Sequence, residues 1–582
     1  MKTRNKLELT WIGKDDKKKI EPRILKYIED KSYGDKNTGN MLIHGDNLLA
    51  LKSLEANYSG KIKCIYIDPP YNTGSAFDLY NDNLEHSIWL SLMKERLILL
   101  YKLLKEDGII FIQIDDNEYA YLKVLCDELY GRNNYLNTVS VKMKNIAGAS
   151  GGGEDKRLKK NVEYILIYTK NYNTFKWLKN AYSYTEICEL VQKYKEEGIS
   201  WKYTSVLYDK GEEKYLCSTV DGDGNEIKIY NRENYKFMSI NQVAKLENIT
   251  VKEVYYKYMD VIHTTAMPQS SIRPRVIKEL ENINHSDLIS IKYVPKTGKN
   301  KGIEYEQYYK GDKFRLLTWL KDVTEFKDGQ WYKKDLQGTL WDGINLNNLT
   351  KEGNVAFPNG KKPEELIRRI IEMSTEKGDY VLDSFLGSGT TIAVAHKMKR
   401  KWIGIEMGNQ VYSHCKPRID SIIDGLDKNG ITNDVNWNRG GGYDFYELAP
   451  SLLNKDKYNN WVISDEYDAD MLAEAMCLHH GFKYIKDQDS FYKQGYSTEK
   501  DFIYTTTNYV TIQYLDMLHE CMGDDESLLI CCKSFDEECI TKYNNITIEK
   551  IPQSILKKYE FGDVDYTLNI EDEVIDEEDE NE

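Results

Sequence analysis

Nowhere in the 582 residues do about 18 apolar residues follow one another, so no membrane-spanning segment is expected. The start, Met1–Thr10, is polar and lacks the apolar core of a secretory signal. The ten cysteines form no CxxC pair and keep no regular spacing, which excludes a zinc ribbon and a disulfide scaffold. Reduced thiols and a cytoplasmic location are the expectation. No internal repeat is visible. Arginine is scarce, 14 of the 79 basic residues, which leaves 79 − 14 = 65 lysines. Lysine meets phosphate as a point charge, whereas arginine forks onto guanine, so base reading would rest on few side chains.

What is present describes a globular chain. Hydrophobic residues make up 41% and charged residues 30%, too much apolar material for wholesale disorder. The net charge of -15 argues against nucleic acid only until it is localised. Residues 571–582 carry nine acidic and no basic side chains, so -15 minus -9 leaves -6 for the preceding 570. That run reads as a solvated acidic tail, and the body retains room for a basic groove.

From Met41 to Gly131 the hydrophobic pattern alternates strand and helix. Met41-Leu42-Ile43 is a short strand, with Asp46 and Asn47 capping a helix from Leu48 to Ala56. Lys63 to Ile67 is a buried strand, followed by a helix from about Leu84 to Leu104 and a strand over Ile109–Ile114 that ends at Asp115-Asp116. This order predicts an α/β fold with a doubly wound, mostly parallel, Rossmann-like sheet. A glycine-rich basic loop carrying Lys156, Arg157, Lys159 and Lys160 precedes one more strand, Val162–Tyr168. The texture then changes to short, tyrosine- and lysine-rich elements before the α/β rhythm resumes near Pro363. The expected boundaries are a catalytic half over 1–170, an inserted domain over 171–335, a second α/β half over 336–448, a C-terminal α+β domain over 449–570 and the tail 571–582.

Two motifs carry chemistry. Asp383-Ser384-Phe385-Leu386-Gly387-Ser388-Gly389-Thr390-Thr391 joins a strand to a helix, and its glycines let a ligand approach the backbone. No Lys-Ser/Thr follows the last glycine, so it is not a triphosphate loop. The next strand ends in Glu406, where a carboxylate can grip both hydroxyls of a ribose. A nucleoside without a phosphate chain fits best. The second motif is Asp68-Pro69-Pro70-Tyr71, followed by Asn72. The prolines stiffen the strand end. The Asp68 carboxylate and Pro69 carbonyl are adjacent acceptors and Tyr71 is a flat face, a combination suited to the exocyclic amine of a flipped purine.

DPPY together with FLGSGTT resembles the S-adenosylmethionine-dependent amino methyltransferases of DNA. The aspartate form is similar to the adenine-N6 enzymes, and the order of the motifs resembles the β class, with a target recognition domain between the two halves. Gly45–Leu48, Asp68–Gly74, Glu163–Leu166, Lys362-Pro363, Gly440–Tyr443 and Glu447-Leu448 resemble the Mod subunits of type III restriction-modification systems. Among stand-alone enzymes the resemblance is to an orphan clostridial methyltransferase. The resemblance implies that Asp68, Pro69, Pro70 and Tyr71 are catalytic and hold the adenine. It implies that Asp383, Phe385, Gly387, Gly389 and Thr390 shape the S-adenosylmethionine pocket, with Glu406 on the ribose and Asp46 near the adenine ring of that cofactor. Lys362, Pro363 and Asn72 would lie toward its methionine end. No metal is expected. Double-stranded DNA is the expected partner, met by the basic loop and, for sequence, by Gln269, Arg273 and Arg275 in a stiff loop. A restriction subunit is left open, and a non-catalytic DNA-binding regulator is the rival reading. Cys477, His479, His480, Cys531 and Cys532 read as structural.

Overall fold

The computed structural model describes the chain except residues 1–6, 16–18, 73–84, 145–157, 159, 177, 180–181, 223, 269, 296–300, 328, 347–348, 358–359 and 560–582. Lys156, Arg157, Lys159, Gln269 and the acidic tail therefore lie outside the described residues. The chain divides into two compact units, one made of Met1–Lys179 and Gly338–Glu582, the other of Asn180–Gln337.

The larger unit is built on an eleven-stranded sheet. Its main strands are β1 (Met41–His44), β2 (Ile62–Ile67), β3 (Leu104–Ile114), β4 (Tyr135–Lys142), β5 (Val162–Thr169), β6 (Tyr380–Asp383), β7 (Lys401–Glu406) and β8 (Gly442–Leu448). They lie side by side as β8-β1-β7-β6-β2-β3-β5-β4. Every neighbouring pair from β8 to β3 is parallel, whereas β5 runs antiparallel to both β3 and β4. The sheet is thus mixed: parallel at its centre, with an antiparallel flank.

Burial on both sides explains the near-continuous apolar runs of the central strands. In β2, Ile65 and Ile67 face one hydrophobic layer while Cys64 and Tyr66 face the other, each no more than 1% exposed. The first layer is supplied by α1 (Asn47–Tyr58), α2 (His86–Leu103) and α3 (Tyr119–Cys126). The second comes from α4 (Glu364–Ser374), α5 (Thr390–Lys397) and α6 (Lys416–Ile423). Asp46 caps α1, accepting a hydrogen bond from the Leu49 amide at 3.1 Å. Pro363 stands at the N-cap of α4, where its missing N–H costs nothing. The strand expected over Ile109–Ile114 begins earlier, at Leu104, because Leu104 pairs with Ile62 before a register shift that leads to the pairing of Cys64 with Ile109.

Consecutive parallel strands therefore present their carboxyl ends on one edge, and β2 and β6 are direct neighbours although more than 300 residues separate them. That edge, where chain order reverses, is where doubly wound sheets bind ligands. Beyond it, residues 449–559 add a five-stranded sheet in which Asp501–Val510, Ser527–Phe535 and Ile546–Lys550 are parallel. Cys477 and His479 lie buried on its helix Ala469–His480, and Cys531 and Cys532 are buried in its strands.

The smaller unit contains an eight-stranded sheet and a three-stranded one, all pairings antiparallel, with cores around Val206, Val254 and Leu320 and around Ile229, Val276 and Ile291. The segment expected as a stiff loop is in part a helix, Ile272–Leu280, which absorbs Arg273, Pro274 and Arg275 into its first turn. Arg273 donates to the carbonyls of Phe314 (3.2 Å) and Lys313 (2.6 Å), and Arg275 to that of Val220 (3.2 Å). These bonds tie the helix to neighbouring backbone. Among the described residues, no helix is long and apolar enough to cross a membrane.

Candidate active site

Asp68 leaves the carboxyl end of β2 with its side chain 19% exposed, at the centre of a hydrogen-bonded cluster. The Tyr71 hydroxyl lies 2.6 Å from Asp68 Oδ1 and 2.8 Å from Glu163 Oε2. Lys362 Nζ reaches Asp68 Oδ2 at 2.8 Å, the Tyr71 oxygen at 2.9 Å and Glu163 Oε2 at 3.5 Å. Gln113 Nε2 donates to Glu163 Oε2 at 2.6 Å, and Tyr66 donates to Gln113 Oε1 at 2.7 Å. The Pro70 carbonyl accepts from Trp89 Nε1 at 2.9 Å, which fixes the di-proline turn against α2.

The electrostatics follow from burial and pairing. Burial raises the Asp68 pKa above the usual carboxylate range, with Lys362 pulling the other way. Burial also works against charge on Glu163, yet Lys362, Gln113 and Tyr71 together hold it below that range. Lys362 is raised despite its burial because it faces both carboxylates.

Lys362 lies between the two motifs. Its backbone does border the glycine loop, since the Lys362 carbonyl accepts from Thr390 Oγ1 at 3.2 Å. Its ammonium, however, extends to Asp68 and sits 4.9 Å from the centre of the Tyr71 ring. Four buried carbons of a lysine stem suffice to bridge from the end of α4's cap to the end of β2.

On the adjoining strand the loop after β6 is tied to the Asp383 carboxylate. Asp383 Oδ1 accepts from the Phe385 amide at 2.9 Å and Oδ2 from Thr391 Oγ1 at 2.5 Å. Gly387 has φ +54° and a Cβ built on it would meet nothing within 4 Å, so the backbone there is open to close approach. Glu406, 3% exposed, receives the amides of Gly387 (2.7 Å), Met407 (3.0 Å) and Gly408 (3.0 Å). The Ser384 hydroxyl is buried without a hydrogen-bond partner among the described residues. Asp46 faces inward: beyond capping α1 it pairs with the Arg96 guanidinium at 3.2 Å. Asn72 adopts φ +58° and donates to Glu118 Oε1 at 2.6 Å, which His86 Nδ1 also meets at 2.6 Å.

The DNA methylase family model matches residues 62–416, more than half of the chain, and spans both motifs. The chain belongs to the N6/N4 DNA methylase family. Its relatives include the "Probable type III restriction-modification enzyme HindVI Mod subunit" of Haemophilus influenzae, 39% identical over 84% of this chain and 66% of that one. The EcoP15I Mod subunit of Escherichia coli is 26% identical over 81% of this chain and 77% of its own length. The chain thus spans slightly less than two thirds of the Haemophilus relative. Among solved structures, the cytosine-N4-specific PvuII DNA methyltransferase aligns with 14% identity and a TM-score of 0.31, covering 68% of this chain and 90% of that one.

In this chain the structure brings Asp68, Tyr71 and Lys362 together and sets Asp383 and Glu406 at neighbouring strand ends, with Gly387 in the loop after Asp383. Of the basic loop, the described Lys160 is paired with Asp115 (3.2 Å) and Asp116 (2.5 Å) at the turn after β3. Sequence reasoning gave no role to Glu163, Gln113 or Glu118. A signal existed for Gln113, a polar residue fully buried in an apolar strand.

Proposed function

We propose that this chain transfers a methyl group from S-adenosylmethionine to N6 of an adenine flipped out of duplex DNA. The observation that carries the reading is the Asp68 carboxylate, anchored by Lys362 and Tyr71 on the strand next to the Gly387–Glu406 cradle. The residues fit a nucleoside ligand: an open space over Gly387, a buried carboxylate at the end of β7 and an unpartnered hydroxyl at Ser384. Phe385, Gly387, Gly389, Thr390, Asp383 and Glu406 would hold it, with Asp46, Asn72 and Pro363 around them.

Bound there, S-adenosylmethionine supplies an electrophilic methyl group. The residues of this chain supply positioning. The N6 lone pair of adenine is delocalised into the ring; hydrogen bonds from the amine to Asp68 and the Pro69 carbonyl draw it out of conjugation and hold the nitrogen for in-line attack. The nitrogen forms its bond to the methyl carbon while the electron pair of the breaking bond stays with the departing thioether. N6 becomes cationic and then loses a proton to solvent. A stacked base cannot reach this cluster, so the adenine must flip, with Tyr71 as its stacking face. Residues 171–335 would read the sequence, and Lys156, Arg157 and Lys159 would meet phosphates beside the flipped base, with Lys160 held back by Asp115 and Asp116.

A second reading is favoured by the Mod relatives: the modification subunit of a complex with a separate restriction subunit. A purely regulatory DNA binder is disfavoured, since binding alone requires neither the Asp68 cluster nor the Glu406 cradle. The test is to incubate the purified protein with DNA and S-adenosylmethionine, digest to nucleosides and identify the product by mass spectrometry. N6-methyladenine supports the reading, and N4-methylcytosine or no product sinks it. Asp68→Ala should abolish transfer while calorimetric cofactor binding persists.

A further inference from the structure

Glu163 has no part in the transfer as outlined, yet it touches the groups that surround Asp68. It projects from β5, 15% exposed, with Oε2 2.8 Å from the Tyr71 hydroxyl and 3.5 Å from Lys362 Nζ. Proton counting shows what it can do. The Lys362 ammonium has three hydrogens, and three acceptors face it: Asp68 Oδ2, the Tyr71 oxygen and Glu163 Oε2. Tyr71 accepts from Lys362 and has a single hydrogen of its own, which can go to Asp68 Oδ1 at 2.6 Å or to Glu163 Oε2 at 2.8 Å, not to both.

The two carboxylates therefore share the hydrogens of Lys362 and compete for the single hydrogen of Tyr71. With the Tyr71 hydrogen on Asp68, Oδ1 is occupied and the pocket is satisfied without a base. With that hydrogen on Glu163, Oδ1 is released, and no heavy atom has moved. Resting on the adenine reading above, we propose that Glu163 is a positioning residue that draws Tyr71 and Lys362 away from Asp68, so that Asp68 can accept the N6 amine of the flipped adenine. Two carboxylates and one ammonium also leave the cluster with one net negative charge, placed where the amine turns cationic during transfer. Gln113, donating to Glu163 Oε2 at 2.6 Å, and Tyr66 behind it hold that carboxylate in place. Without Glu163 both donors would collapse onto Asp68, and the amine would have to displace them.

The consequence can be read from binding alone. Two duplexes are compared without cofactor, each carrying the sequence that the wild-type protein methylates, one with unmethylated adenine at the target and one with purine 2′-deoxyriboside, which lacks the amine. The ratio of their affinities, compared between variants, cancels the difference in base pairing. Glu163→Leu should lower the adenine-to-purine ratio by about tenfold or more, the worth of one charge-assisted hydrogen bond, and lower single-turnover transfer at least as much. Glu163→Gln keeps an acceptor and should fall between Leu and wild type. Glu163→Leu combined with Lys362→Met removes a competing donor and should recover part of the ratio lost in Glu163→Leu. An unchanged ratio in Glu163→Leu, or a double variant at least as impaired as that single one, overturns the proposal. If melting shows Glu163→Leu to be unfolded, Glu163→Gln carries the test, and a wild-type ratio there overturns it equally. A wild-type protein that makes no N6-methyladenine refutes the adenine reading itself; one that does, with the ratio unmoved by Glu163, refutes only this role.

Discussion

At the end of β6 the Asp383 carboxyl is buried beneath the glycine loop. Burial first, and the nearby Asp68 and Glu406 carboxylates after it, outweigh its hydrogen bonds from Thr391 and the Phe385 amide, and its pKa is pushed up to about 7. An acid whose folded pKa is raised keeps its proton in the native state while the unfolded chain has already lost it. Its contribution to stability is complete below the ordinary value near 3.8 and is lost as pH rises from there to about 7. Each unit of that window corresponds to about 1.4 kcal/mol. Asp383→Asn, which cannot ionise, should flatten the loss of melting temperature between pH 4 and 7 and be relatively most stable at pH 8. Melting curves of both proteins across that range check it; parallel curves would show that Asp383 does not titrate there. Glu406 makes a different case, because three amides already occupy its carboxylate. Glu406→Ala should weaken calorimetric S-adenosylmethionine binding at least about tenfold. It should also lower the melting temperature, since the Gly387, Met407 and Gly408 amides lose their acceptor. Unchanged affinity would remove Glu406 from the ribose.

Three helices and a loop behind the cofactor side of the sheet meet in a fully buried ionic cluster. Glu364 at the start of α4 pairs with Arg418 of α6 at 2.8 Å and with Lys397 of α5 at 2.7 Å, and Lys397 also meets Asp427 at 2.6 Å. Arg418 further donates to the Ser388 carbonyl (3.2 Å) and Thr390 Oγ1 (2.8 Å), so the cluster grips the glycine loop. Removing one member of such a cluster leaves charge buried and uncompensated, which costs about 3–5 kcal/mol. Lys397 retains Asp427, so Glu364→Gln should lose about 3 kcal/mol in urea unfolding, chiefly through Arg418, and weaken cofactor binding with it. A loss under about 1 kcal/mol would show that the cluster contributes little. None of this cluster was legible in the sequence, where Glu364, Lys397 and Arg418 look like solvated helical charges. The strands and helices around it were legible because apolar runs and glycine punctuation are local signals. The two motifs were legible for the same reason, and their adjacency was implied by resemblance. What joins Lys362 to Asp68 and Glu163 is contact across strands and cap, which no local pattern encodes. The helix at Ile272–Leu280 was hidden by Pro274, whose fixed φ suits a first turn as well as a stiff loop.

Charge at the scale of the whole chain opposes DNA: the net value is -15, and -6 remains without residues 571–582. Binding to a polyanion must then come from localised lysines, and its salt dependence counts them. Lys156, Arg157 and Lys159 stand together in the sequence with Lys160. Lys160 differs in having Asp115 and Asp116 as partners: burial pulls its pKa down, but the two carboxylates together raise it. A phosphate would have to compete with two carboxylates for that ammonium, whose side chain is 48% exposed. Each phosphate neutralised contributes about 0.9 to the slope of log affinity against log salt on duplex DNA. Changing Lys156, Arg157 and Lys159 to Ala should therefore flatten the slope by up to about 2.7, equally on cognate and scrambled duplexes, because phosphate contacts carry no sequence information. Adding Lys160→Ala should change it by clearly less than a further 0.9 or so. Binding titrations at four or five salt concentrations measure both increments. A triple variant with the wild-type slope would move the phosphate contacts elsewhere, and a full increment from Lys160 would mean that DNA displaces it from Asp115 and Asp116.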